Sequence, residues 1–307
     1  MNKLLILAFS IMLISCNSDN ITPSGIGDFQ LSNDDKFVYF SFYDGINSSI
    51  FRFNSNGSNL KYIVPAKKDT SFYNPSLSMD NEKILFIGWA NQSNNSSIYL
   101  ANLDGSSVKR MTEGNEIIWD AFISDYNNEI IYSKADAVTK YSPIATSGPH
   151  GFDLFTLNTI NKKTKKISSL NAYQLGCLSE FNKDSLLVYS YTDKSGMFFF
   201  SKKKQQTLTR IEAKNESIDL PNFYYQPLYS KKSNCFVFSN GYGLKIMDKH
   251  NIVKKIYDVT ESKIDCFCLY NSISRVLFTI EGDKDFYSIN FDGTDLKRFK
   301  VNLPKRL

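Results

Sequence analysis

The chain has 307 residues, a formal net charge of +5 at neutral pH, five cysteines and two histidines. That length can bury a large core. The small charge excess is spread over lysine clusters such as Lys67-Lys68 and Lys202-Lys203-Lys204, which argues for solvated turns rather than a nucleic-acid surface.

In chain order, Lys3 precedes an apolar run from Leu4 to Leu13. A permanent membrane helix needs about 20 residues, so this run is too short and fits a signal-peptide core. It ends in Leu13-Ile14-Ser15-Cys16, which resembles the bacterial lipobox. The resemblance covers four residues. It implies that residues 1–15 are removed, that Cys16 is lipidated, and that residues 16–26 tether a soluble domain. The expected place is the bacterial cell envelope at the outer membrane, facing the periplasm or the surface, with the lipid as the sole membrane contact. No later segment is apolar for long enough to span a bilayer.

A β-rich unit then recurs six times. Each copy is anchored on an apolar strand: Phe37-Val38-Tyr39-Phe40, Ile84-Leu85-Phe86, Ile130-Ile131-Tyr132, Leu187-Val188-Tyr189, Phe236-Val237-Phe238 and Val276-Leu277-Phe278. The last aromatics are 46, 46, 57, 49 and 40 residues apart, close to the ~40–45 of a four-stranded propeller blade. A strand follows each anchor, as in Ile50-Phe51-Arg52-Phe53 and Ile98-Tyr99-Leu100-Ala101. Next come a turn and a basic strand. Asn56-Gly57, Asp104-Gly105 and Asp292-Gly293 supply the positive φ of tight turns. Another strand precedes each anchor, clearest in Pro75 to Ser78, Ala121 to Ser124 and Pro227 to Ser230. Four short strands per unit and no helical period predict an all-β, six-bladed propeller of four-stranded antiparallel blades.

Leu31 to Phe40, followed by Ile50-Phe51 and Asn56-Gly57-Ser58, resembles the TolB-type propeller repeat. Leu77 to Met111 is similar to it as well, and Leu269 to Phe299 in its second half. The resemblance covers most of residues 27–303 and implies a propeller over that span. The usual Pro-Asp-Gly of the first turn is replaced by Asn33-Asp34-Asp35 and by Met79-Asp80-Asn81, and units four and five are degenerate. Propellers of this kind serve in transport complexes, as peptidase side domains and as sugar lyases, so the fold leaves function open. The strand near Leu296 to Val301 is read as part of the sixth blade, and residues 17–26 as the tether.

Two features carry candidate chemistry. The third unit holds an insertion from Ala135 to Gly151, with Tyr141, Pro143, Gly148, Pro149 and His150. It reads either as a lid over one end of the channel, with Tyr141 and His150 as contact groups, or as a plain surface excursion. Asp28, Asn74, Asp120 and Gln226 stand three positions before Leu31, Leu77, Ile123 and Tyr229. Equivalent positions on innermost strands form a ring around the channel, and Cys266 holds the sixth. That ring is either a ligand site or polar because innermost strands begin in water.

Catalytic signatures are weak. His150 and His250 are too far apart in sequence for a His-rich metal centre, and His250 reads as exposed. No G-x-S-x-G elbow or phosphate loop is present. Paired carboxylates from different blades remain open. Cys177, Cys235, Cys266 and Cys268 read mostly as small buried residues, with room for one disulfide. Tyr224-Tyr225 are candidates for the channel mouth. Trp119, beside Asp120, fits packing better than sugar stacking. The expected protein is a monomeric binding module for a protein, peptide or glycan, without cofactor, metal or nucleic acid. The alternative is a carbohydrate-active enzyme, a polysaccharide lyase or glycosidase, at the channel mouth.

Overall fold

A computed structural model describes residues 25–304 apart from 92, 128, 141–146, 192–194, 205–206 and 217–223. Cys16, the apolar run before it, Tyr141 and Pro143 lie outside the described residues.

Six four-stranded antiparallel sheets form the fold, each from strands consecutive in the chain except the third, which a two-stranded hairpin interrupts. Blade 1 is β1 (Gly25–Leu31), β2 (Phe37–Tyr43), β3 (Ser48–Asn54) and β4 (Lys61–Val64). Blade 2 is β5 (Thr70–Leu77), β6 (Lys83–Ala90), β7 (Ser96–Asn102) and β8 (Lys109–Arg110). Blade 3 contains β9 (Ile117–Ile123) and β10 (Glu129–Ala135), then the inserted hairpin β11 (Ala137–Lys140) and β12 (Ser147–His150), then β13 (Asp153–Asn158) and β14 (Thr164–Lys166). Blade 4 is β15 (Gln174–Asn182), β16 (Ser185–Tyr191), β17 (Ser195–Ser201) and β18 (Leu208–Arg210). Blade 5 is β19 (Tyr225–Ser230), β20 (Cys235–Ser239), β21 (Gly243–Met247) and β22 (Val253–Asp258). Blade 6 is β23 (Ile264–Leu269), β24 (Arg275–Ile280), β25 (Phe286–Asn290) and β26 (Lys297–Phe299). The innermost strands β1, β5, β9, β15, β19 and β23 touch in that cyclic order, with β1 against β23.

The anchor strands are apolar at nearly every position because both faces of each blade are covered, whereas a half-solvated sheet alternates. Val38, Phe40 and Phe42 of β2 face blade 6, while Tyr39 between them faces blade 2. Ile84 and Phe86 of β6 face blade 1, and Leu85 and Ile87 face blade 3. The core is accordingly six clusters, one in each gap between neighbouring blades. Cys266 and Cys268 pack toward blade 1 and Phe267 toward blade 5, as strand alternation requires. All four described cysteines are free thiols.

The ring closes without strand exchange among the described residues. β26 completes blade 6 from its own sequence, as expected, and β1 begins at Gly25 with Ile26 already buried. Closure rests on side chains. Phe286 of β25 packs against Phe29, Phe40 and Phe53 of blade 1, with ring centroids 5.2, 5.5 and 4.8 Å away. The Asp35 carboxylate accepts hydrogen bonds from the backbone N–H groups of Asn271 and Ser272, both at 2.8 Å. Asn271 Nδ2 donates to Ser32 O at 3.2 Å. The same link recurs between blades 1 and 2, where Asn33 N donates to Asn81 Oδ1 and Asn33 Nδ2 to Ser78 O. Asp35 and Asn81 share a positive φ, 58° and 57°, which an Asp or Asn tolerates better than most residues. The departures from Pro-Asp-Gly thus serve to bind one blade to the next.

Candidate functional site

Each innermost strand begins on the face that carries the connections between second and third strands. It ends on the opposite face, which carries the turns between first and second strands and is called the turn face below. Every innermost strand is bulged midway. Pairing with the second strand slips between Ile26 and Phe29, Tyr73 and Ser76, Gly176 and Ser179, Tyr225 and Leu228, and Ile264 and Phe267. In blade 3 the slip lies opposite Ser133 and Lys134. A bulge turns a side chain out of the regular alternation. Asn74, Cys177 and Gln226 take positive φ there, at 52°, 50° and 48°.

These bulges carry the polar ring, and its members contact one another. Asn74 Nδ2 donates to Asp120 Oδ1 at 2.6 Å, and Leu178 N donates to Asp120 Oδ2 at 2.7 Å. Gln226 Nε2 donates to Asp265 O at 3.1 Å, and the Cys266 thiol to Asp28 Oδ1 at 3.4 Å. The Cys177 thiol meets the backbone of Gln226. One layer toward the turn face, Leu77 N donates to Gln30 Oε1 at 2.9 Å, which joins blades 1 and 2. Asn74, Asp120 and Gln226 therefore belong to a belt that ties blades together.

The belt is electrostatically tense. Burial raises the Asp28 carboxyl above its usual range, against a smaller lowering by the Cys266 thiol. Burial likewise raises Asp120, with the charge of Asp28 adding to it. Asp265 is pushed up to about 6 by burial, by Asp28 and by Glu281. Asp28 and Asp265 are open to the channel yet enclosed by the blades, so solvent screens them only from one direction. Among the described residues no group of three His, Cys, Asp or Glu side chains is arranged to hold a metal ion.

Toward the turn face the channel widens into a cavity of about 510 Å³ lined by all six innermost strands. Asn74 and Asp120 stand at its inner end, with Leu77, Ile123, Leu178 and Leu269 among the walls. Lys231 of blade 5 reaches Asp125 of blade 3 across the rim, Nζ to Oδ2 3.4 Å, passing over blade 4.

Of the residues named from sequence, Asn74 and Asp120 line this cavity, and Asp28 and Gln226 belong to the belt without lining it. His150 is not in the lining. The hairpin β11–β12 leaves from Ala135, which pairs with Ile117 at the start of β9, so it stands on the face opposite the cavity mouth. His150 Nε2 lies 2.5 Å from Thr139 Oγ1 across the hairpin. Trp119 is 41% exposed and packs edge-on against Phe152. Tyr224 is fully buried and donates to Glu216 Oε1 at 2.8 Å, so it does not line the mouth; Tyr225 packs on Tyr189. His250 is exposed, as expected. Counting from the anchors missed Cys177, because β15 carries an extra residue, and passed over Asp265 beside Cys266. The Gly176-Cys177 pair, where a strand could change its backbone twist, was the available signal.

No protein-family model matches the sequence, and no curated protein matches it. Among solved structures the chain superposes on TolB from Acinetobacter baumannii with a TM-score of 0.64 at 11% identity, over 88% of this chain and 65% of that one. Oligogalacturonate lyase in complex with manganese gives 0.55 at 9% identity, over 87% and 77%. The β-propeller domain of the Trilobed protease from Pyrococcus furiosus, described as having an open velcro topology, gives 0.54 at 14% identity, over 92% and 99%. At these identities the likeness is one of fold: the chain is a TolB-like six-bladed propeller that spans under two thirds of the Acinetobacter protein.

Proposed function

We propose that this chain is a binding propeller of the bacterial envelope, tethered at the outer membrane by a lipid on Cys16, that holds a protein, peptide or glycan in its central cavity. The supporting observation is the cavity itself. It is built by all six blades and has a polar inner end at Asn74 and Asp120. Its volume lies in the range that takes a small ligand or a few residues of a chain. The raised carboxyls behind it favour a ligand that brings hydrogen-bond donors or positive charge. The mature unit acts as a monomer, without cofactor or nucleic acid.

The test is binding by purified residues 17–307 to peptide and oligosaccharide arrays, repeated with Asp120→Asn and Asn74→Ala. Binding that both variants leave intact would remove the cavity from the reading. Replacing Cys16 by Ala should move the protein from the membrane to the soluble fraction; unchanged membrane retention would remove the anchor. One observation favours a second reading, a carbohydrate-active enzyme: Asp28, Asp120 and Asp265 face one channel with raised carboxyls, so a protonated acid can stand beside an ionised one. Oligosaccharide turnover lost in Asp120→Asn would establish it in place of simple binding.

A further inference from the structure

A second hollow, of about 920 Å³, runs outward across the turn face between blades 2 and 3. It adjoins the central cavity, with which it shares Met79, Ile123 and Asp125. Leu100 and Met111 line it lower down, and three apolar side chains at its rim are exposed: Met79 at 55%, Tyr126 at 43% and Ile160 at 77%. Ile160 sits at the tip of the turn between β13 and β14, where a polar residue would serve a solvated turn.

Charge divides along this cleft. Asp80, Glu82 and Asp125 belong to the first turns, nearest the axis, with Lys83 beside them turned onto Asn102 Oδ1 at 2.6 Å, and Lys109 and Lys162 belong to the outer strands and turns. Lys109 pairs with Leu100, which faces blade 3, so its side chain projects into the cleft. Lys162 Nζ donates to the backbone oxygen of Arg110 at 3.0 Å, which draws the outer edge of blade 3 against that of blade 2, next to Lys109. Among the described residues no acid forms a salt bridge with Lys109 or Lys162. Asp125 at the inner end is answered by Lys231.

We propose that this cleft docks an acidic, partly apolar segment of a partner polypeptide. Its carboxylates lie over Lys109 and Lys162, and its apolar side chains lie on Ile160, Tyr126 and Met79. The charge excess at the outer end selects an acidic partner. The concave, half-apolar shape selects a polypeptide over a flat anionic membrane or a phosphodiester backbone, neither of which would use the recessed Met111. The inference goes beyond the central-cavity reading and stands or falls separately from it.

Fluorescence anisotropy on residues 17–307 tests it with labelled peptides about ten residues long, which reach roughly 30 Å when extended. One peptide alternates Leu and Ser and ends in a run of Glu; the second carries Lys for Glu, and the third Ser for Leu. Saturable binding is expected for the first alone, weaker at higher salt. It should fall about tenfold in Lys109→Glu/Lys162→Glu and in Ile160→Ser, and stay unchanged in Asn74→Ala. Thermal melts of the surface variants should match the parent. Equal binding of the Glu and Lys peptides, no binding of either, or insensitivity to the double variant would overturn the proposal. So would stronger binding to phosphatidylglycerol vesicles or duplex DNA that is lost in the same variants.

Discussion

Replacing Phe286 by Ala tests how the ring is closed. The Phe286 side chain is fully buried and touches three phenylalanines of blade 1, so its loss removes both transferred surface and packing. Truncating a buried Phe costs about 3–5 kcal/mol, a large part of the ~5–15 kcal/mol that holds a domain folded. Phe86→Ala is the control. Phe86 is equally buried between blades 1 and 2, against Phe72 and Tyr99 at 5.0 and 5.7 Å. Its packing cost should be similar, but blades 1 and 2 are consecutive in the chain. Blades 6 and 1 meet only after the whole ring is ordered, and among the described residues no shared strand holds them together. Loss of Phe286 should therefore loosen the seam before the rest unfolds. In urea titrations, the tryptophan signal from Trp89 and Trp119 in blades 2 and 3 should separate from far-ultraviolet dichroism for Phe286→Ala. The two signals should stay coincident for Phe86→Ala. A loss below about 1 kcal/mol for Phe286→Ala, or equal cooperativity in the two variants, would refute side-chain closure of the seam.

Three further outcomes are expected. Gly105 and Gly57 both have positive φ, 87° and 88°, but a Cβ on Gly105 would stand 2.1 Å from Ile63 O, whereas Gly57 has 3.5 Å to its nearest neighbour. Gly57→Ala should cost about 1 kcal/mol of backbone strain, and Gly105→Ala clearly more, read as the difference in urea midpoints. Asp265 sits near 6 rather than its ordinary 3.8, so the folded state favours its protonated form. The stability this lends is full at low pH and is lost as pH rises through about 6. Asp265→Asn should thus be neutral near pH 4 and stabilising near pH 7.5. The gain should be about 1 kcal/mol rather than the ~3 the shift would give unscreened, because the carboxyl is open to the channel; equal melting shifts at both pH values would contradict this. Burial raises all four described thiols, Cys235 to about 11. A thiol reagent at mildly alkaline pH should label residues 17–307 slowly in buffer and at four sites in urea.

The polar ring shows how far a site could be read from the chain. Asp28, Asn74 and Asp120 were found by counting back from aligned anchors, because bulge positions repeat as regularly as the strands that contain them. Cys177 escaped the count through one extra residue in β15. The contacts that give the ring its character were not legible at all: Asp28 meets Cys266, and Asp120 meets Leu178 N, across blades far apart in sequence. The insertion was visible as a long, Pro- and Gly-bearing segment. Its face follows from which strands it joins, and that places it away from the cavity mouth.

Local chemistry was enough to determine the blades. Alternation at period two, near-continuous apolar anchors and Asx-Gly turns each act over a few residues, so they are written in order along the chain. What the tertiary structure decided is everything that depends on adjacency after the ring has closed. That includes the Phe286 seam, the belt of Asp28 and Asp120, the pair Lys231–Asp125 over the rim, and the cleft that sets Lys109 beside Lys162. Radial packing brings these groups together from separate blades, and no short-range pattern encodes a distance that exists only once six sheets share their faces.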